Sequence, residues 1–258
     1  MALMSCSQLS VTYGSYLAVD NVSIEINKGD YLCVVGSNGS GKSTLVKALL
    51  GLVSSSQGSI TVKDCGIGYL PQQSVIQRDF PASVLEVVKS GSVGRKKIGP
   101  FFTKAEMQCA WEQIEKLNLT KVAKKSFMDL SGGQQQRVLL ARALCTANQA
   151  KNPLLVLDEP VTGLDPLITD ELYSIIRDLH ANHQVSVLMV SHDIHRAVQN
   201  ATHILHMDTC CRFYGTAEEY EKTEFYKEMS SVEVCSTHCC THCGPNCNAS
   251  HVLIKGKR

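Results

Sequence analysis

The sequence predicts an α/β fold built on a parallel sheet with crossover helices, and three features carry that expectation. Short apolar runs, YLCVV at 31–35, LLVL at 154–157 and VSVLMV at 185–190, have the length and β-branched content of strands buried on both faces. Helical patterns lie between them, as at 167–179, where Ile168, Leu172, Ile175, Ile176 and Leu179 recur at spacings of three and four behind Pro166, a residue the first helical turn tolerates. Strand and helix alternate, the pattern of a sheet whose crossovers are helices. With 258 residues, 44% of them hydrophobic, the chain suffices for one large domain or a core with a smaller lobe.

Charge and cysteine usage narrow the function classes. Lysine plus arginine number 25 against 24 acidic residues, so no bulk field points to nucleic acid as a partner. The clusters Arg95-Lys96-Lys97 and Lys121 with Lys124-Lys125 read as solvated faces. No apolar run reaches the roughly 18 residues of a bilayer span, and MALMSCSQLSVTYG lacks the layout of a secretory leader, so a cytoplasmic chain is expected. Of twelve cysteines, five are scattered (Cys6, Cys33, Cys65, Cys109, Cys145) and seven lie at or beyond Cys210, unlike a disulfide framework. The scattered five are expected to be reduced, with Cys33 a small core residue.

Taken in order, the elements carry chemistry. After the YLCVV strand comes GSNGSGKST at 36–44, followed by the helical LVKALLGL, the context of a phosphate-binding loop. Gly36, Gly39 and Gly41 permit a tight turn whose N–H groups, together with Ser37, Asn38, Ser40 and Thr44, would cradle the phosphates of ATP at a helix N-terminus. Lys42 would bridge the outer phosphates and the Ser43 hydroxyl would ligate Mg²⁺. Between about 76 and 150 the strand signals vanish, and a helical pattern (Met107, Trp111, Ile114, Leu117) follows SGSVGRKKIGP, which reads as an inserted helical lobe. LSGGQQQR at 130–137 precedes the helical VLLARALCTA, so Ser131, Gly132 and Gly133 should form a second anion-ready helix end. LLVLDEP should deliver Asp158 to the magnesium and Glu159 beside the γ-phosphate, where a carboxylate can polarise a water. These elements together predict a nucleoside triphosphatase.

With LSGGQ the chain resembles the ATP-binding subunits of ABC transporters, in which that motif closes over ATP held by the opposite subunit. The likeness covers roughly residues 3–228 and implies a P-loop NTPase core of the RecA-like, ABC type, with an antiparallel β subdomain and an inserted helical subdomain. The implied division is an ATPase domain at 1–229, its helical subdomain at about 76–150, and a tail at 230–258. Further motifs resemble the family's in order. Tyr13 matches the adenine-stacking aromatic, with Tyr16 a competitor three residues on. Gln72 in GYLPQ matches the Q-loop glutamine and a magnesium contact, Asp165 in TGLD the D-loop, and His192 in VSHD the switch histidine. The resemblance implies that two copies sandwich ATP, that hydrolysis through Glu159, with His192 steadying the γ-phosphate, reopens them, and that Gln72 reports γ-phosphate occupancy to whatever docks on the lobe.

A solitary domain of this family implies separate permease subunits, an extracytoplasmic binding protein reached through them, and a position at the cytoplasmic membrane face. SVIQRDFPASVLEVVKSG and KLNLTKVAKKSFMDLSGGQQQRVLLARAL look like segments of the ATPases of zinc and manganese uptake systems. Other cargoes, such as an iron chelate or cobalamin, and a non-transport role stay open. Beyond about residue 229 periodicity stops, and Cys235, His238, Cys239, Cys240, His242, Cys243, Cys247 and His251 offer ligands for one or two four-coordinate Zn²⁺ sites or a Cu(I) cluster. Thiolates do not suit Mn²⁺, so a tail that binds the transported zinc is expected, as a buffer or as a sensor.

Overall fold

Strand runs with no polar position must be covered on both faces, and the computed structural model, which describes residues 1–72, 81–92 and 102–227, shows what covers them. β3 (Tyr31–Val35), β7 (Ser186–Val190) and β6 (Asn152–Asp158) lie side by side and parallel in a nine-stranded sheet ordered β4-β1-β2-β9-β8-β3-β7-β6-β5. β5 (Cys65–Leu70) continues the parallel part on one side and β8 (His203–Asp208) on the other, with β9 (Cys210–Thr216) folding back antiparallel. β1 (Ala2–Tyr13), β2 (Tyr16–Asn27) and β4 (Gln57–Val62) form an antiparallel group, joined to the rest where Asp20 pairs with Cys210.

Alternation along the central strands sorts their side chains into two cores. Tyr31, Cys33 and Val35, with Leu155, Leu157, Val187 and Met189, pack against α5 (Pro166–His183), α6 (Ile194–Asn200) and the helices α2 (Val84–Ser90), α3 (Lys104–Lys116) and α4 (Gly132–Ala147). The intervening Leu32, Val34, Leu154, Val156, Leu188 and Val190 face α1 (Lys42–Leu49) and the antiparallel strands. The Cys33 thiol is fully buried, and burial pushes its pKa far up.

Glycine decides how closely α4 approaches the sheet edge. A methyl group on Gly68 of β5 would lie 2.0 Å from the Ala143 carbonyl oxygen of α4, a contact no side chain permits. Capping boxes start three of the helices described above: Ser83 with Glu86 at α2, Thr103 with Glu106 at α3, and Ser131 with Gln134 at α4. A last helix, α7 (Ala217–Glu221), follows β9. No helix among the described residues is long and apolar enough to cross a membrane. The cluster Arg95-Lys96-Lys97 and all eight candidate tail ligands, Cys235, His238, Cys239, Cys240, His242, Cys243, Cys247 and His251, lie outside the described residues.

Candidate active site

Parallel strands bring their carboxyl ends to one edge of the sheet, and the chemistry gathers there. Val34 of β3 and Asp158 of β6 both pair with Val190 of β7, while Leu70 of β5 pairs with Leu157. The residues following these four strands therefore share a crevice: Gly36 after β3, Gln72 after β5, Glu159 after β6 and His192 after β7. Backbone bonds fix the edge, from the Ser191 N–H to the Val34 carbonyl at 3.1 Å and from the Glu159 N–H to the Val190 carbonyl at 3.3 Å.

The loop at 36–41 turns because its glycines adopt left-handed φ values. Gly36 has φ 144°, and a Cβ there would strike the Met207 carbonyl oxygen at 2.2 Å, so the loop is pressed against β8. α1 starts at Lys42, whose buried ammonium donates to the carbonyls of Gly36 at 2.9 Å and Ser37 at 2.6 Å. Burial pulls the Lys42 pKa down, opposed by the nearby Glu159 and Asp158 carboxylates. The Ser43 hydroxyl donates to Asp158 Oδ1 at 2.9 Å. Burial pushes the Asp158 pKa up, against the hydrogen bond from Ser43. This pair of hard oxygen donors fits Mg²⁺.

Glu159 is 8% exposed, has φ 51°, and collects three side chains. Gln72 Nε2 donates to its Oε2 at 2.7 Å, the Thr162 hydroxyl donates to the same oxygen at 3.3 Å, and His192 Nε2 contacts its Oε1. An open cleft of about 220 Å³ runs past this cluster, bounded by Asn38, Gly39, Ser40 and Thr44 of the loop and by Tyr13 and Tyr16. The two tyrosines face each other across the β1–β2 turn, and the Tyr16 hydroxyl donates to the Gly39 carbonyl at 3.4 Å. Both border the cleft, so the competition between them stands.

Ser131, Gly132 and Gly133 are not among the residues bordering this cleft. Ser131 caps α4 and is exposed with Gly132, whereas Gly133 is buried against Ile168 of α5. Asp165 caps α5 by accepting from the Ile168 N–H at 3.1 Å. Sequence reasoning missed Thr162 and Tyr69. Tyr69, on β5, lies beside Asp158, and its pKa is pushed up to about 12 by burial and then by the Asp158 charge. Alternation held the signal for Tyr69, since Gly68 faces α4 and its neighbour must face the other way. Among the described residues no group of three or more His, Cys, Asp or Glu side chains could hold a metal ion.

A glycine loop between strand and helix, a lysine inside it, and acidic residues at the end of the neighbouring strand define a P-loop nucleotide-binding domain. The family model for ABC transporters matches residues 19–162. The zinc import ATP-binding protein ZnuC of Pseudomonas savastanoi pv. phaseolicola is 35% identical over 213 residues, covering 81% of this chain and 75% of that protein. The zinc uptake system ATP-binding protein ZurA of Listeria innocua is 31% identical over 229 residues, 85% of this chain and 88% of that one. Among solved structures, a metal-chelate type ABC transporter in an inward-facing conformation superposes with a TM-score of 0.79 at 30% identity, covering 90% of each chain. The chain belongs to the ABC transporter family, and the cleft lies in its ATP-binding cassette.

Proposed function

We propose that the chain is the ATP-hydrolysing subunit of an importer for zinc or a related divalent metal, working on separate permease subunits at the cytoplasmic membrane face. The observation that carries the ATPase reading is the convergence of Gln72, Thr162 and His192 on the buried Glu159, beside Lys42 and the Ser43–Asp158 pair. In this reading the N–H groups of residues 36–44 and the Lys42 ammonium hold the phosphates, and Ser43, Asp158 and Gln72 would hold Mg²⁺, which neutralises phosphate charge when bound. Glu159 takes the proton of the attacking water, and His192, hydrogen-bonded to it, steadies the γ-phosphate. A tyrosine at 13 or 16 stacks on the base.

Two copies complete each other. The exposed N-terminus of α4, with Ser131 and Gly132, lies apart from the chain's own cleft and supports a role on the ATP of a second copy. Asp165 caps α5, whose Ile168 packs against Gly133, so the D-loop and the signature end are in direct contact.

The relatives named for zinc import support the cargo. In cells lacking their own copy of this gene, the intact chain is expected to restore growth and zinc content in zinc-poor medium. Glu159→Gln should keep ATP binding and lose about 10²–10⁴-fold in turnover, restoring neither. Restoration by the Gln variant would remove Glu159 as the base; restored iron or cobalt content with zinc unchanged would replace the cargo by another metal or its chelate.

The cysteine- and histidine-rich tail is read as a zinc-binding extension. Its eight candidate ligands between Cys235 and His251 are thiols and imidazoles, the donors that Zn²⁺ takes. The full chain, purified reduced and without chelator, should carry zinc in excess of a chain ending at Glu233. Equal metal content in the two would remove the tail site.

A further inference from the structure

Two of the scattered cysteines meet. Cys109 of α3 and Cys145 of α4 are hydrogen-bonded sulfur to sulfur at 4.0 Å. They are unlike in access: Cys145 is fully buried in the packing of the three helices α2, α3 and α4, and Cys109 is partly exposed. Gly91, which follows α2, packs here as well, an added Cβ standing 3.1 Å from the Cys145 Cβ. A disulfide needs about 2.05 Å between sulfurs, so the two must approach by about 2 Å to bond.

We propose that Cys109 and Cys145 form a reversible, peroxide-responsive disulfide, with Cys109 as the attacking thiol and Cys145 as the resolving one. Access assigns the roles: Cys109 is partly exposed and can meet peroxide, whereas Cys145 is fully buried. The Cys109 thiolate attacks one oxygen of hydrogen peroxide, the O–O bond breaks, and hydroxide leaves to be protonated as water. The Cys145 sulfur then attacks the sulfenic sulfur of Cys109, the S–O bond breaks, and the departing hydroxide takes the Cys145 proton as a second water. Two thiols are oxidised by two electrons, and the peroxide is reduced to two waters. The bond ties α3 to the C-terminal part of α4, the helix that begins at the signature serine, Ser131.

The test uses the full chain, reduced, then exposed to a modest excess of hydrogen peroxide, alkylated and digested with trypsin without reductant. Peptides 105–116 and 143–151 each contain one cysteine, so their cross-link is separable by mass from any disulfide elsewhere in the chain. The expected result is a joined pair lighter than the two peptides by two hydrogens and released by dithiothreitol. Cys145→Ser should leave Cys109 as a sulfenic acid trapped by dimedone, and Cys109→Ser should leave Cys145 as free thiol. Oxidation of Cys109 to sulfinic acid in the intact chain, with Cys145 still alkylated as a free thiol, would overturn the proposal. So would Cys109 paired with any cysteine other than Cys145, a result that needs no variant to fold.

Discussion

Lys42 points its ammonium at the Gly36 and Ser37 carbonyls, within the loop expected to cradle phosphate. Burial lowers its pKa, and a triphosphate laid against it would raise it, because an adjacent negative charge favours the protonated form. Nucleotide binding should therefore take up protons at alkaline pH, and affinity should fall as pH rises through the depressed Lys42 pKa. Calorimetry at alkaline pH in two buffers of different ionisation enthalpy checks this; equal binding enthalpies would show that Lys42 does not titrate. The position of Lys42 at a helix start behind a strand was legible because glycine spacing and the flanking apolar runs are local properties of the chain. The choice between Tyr13 and Tyr16 was not, since both flank one turn and both border the cleft. Thr162 was invisible for another reason: its contact with Glu159 depends on the left-handed backbone at Glu159, which no periodicity encodes.

At the scale of elements, β3, β6 and β7 could be read from sequence because burial on both faces makes them continuously apolar. The helix expected at 167–179 runs from Pro166 to His183 and ends where Gln184 turns left-handed, φ 54°. β1, β2 and β4 gave no period of their own, and only the family likeness supplied an antiparallel group. Their pairing shifts register at several points, so burial along β1 does not alternate strictly. The close seat of α4 on β5 was equally hidden, because a glycine's meaning depends on what approaches it. Gly68→Ala should destabilise the fold by about 1–3 kcal/mol, since the Ala143 carbonyl belongs to helix backbone and cannot move aside alone. Urea unfolding should show a lower midpoint at unchanged slope; an unchanged midpoint would mean that the two elements separate easily.

At the scale of the whole molecule, the proposed function rests on two regions of one chain that lie apart. Lys42, Ser43, Glu159 and His192 border the cleft, with Asp158 bonded to Ser43, while Ser131 caps the exposed end of α4. In the proposed sandwich of two copies each site is made from both chains, and this claim has a direct measurement. Lys42→Ala and Ser131→Arg variants, each inactive alone, are mixed in equal amounts with ATP and magnesium, and hydrolysis is followed. A mixed dimer pairs the intact loop of the Ser131→Arg chain with the intact signature of the Lys42→Ala chain, so one of its two sites is whole. Random pairing then predicts recovery of about one quarter of the parent activity. Mixed dimers that form, as shown by differently tagged chains co-purifying, yet hydrolyse no faster than either variant alone would contradict the composite site.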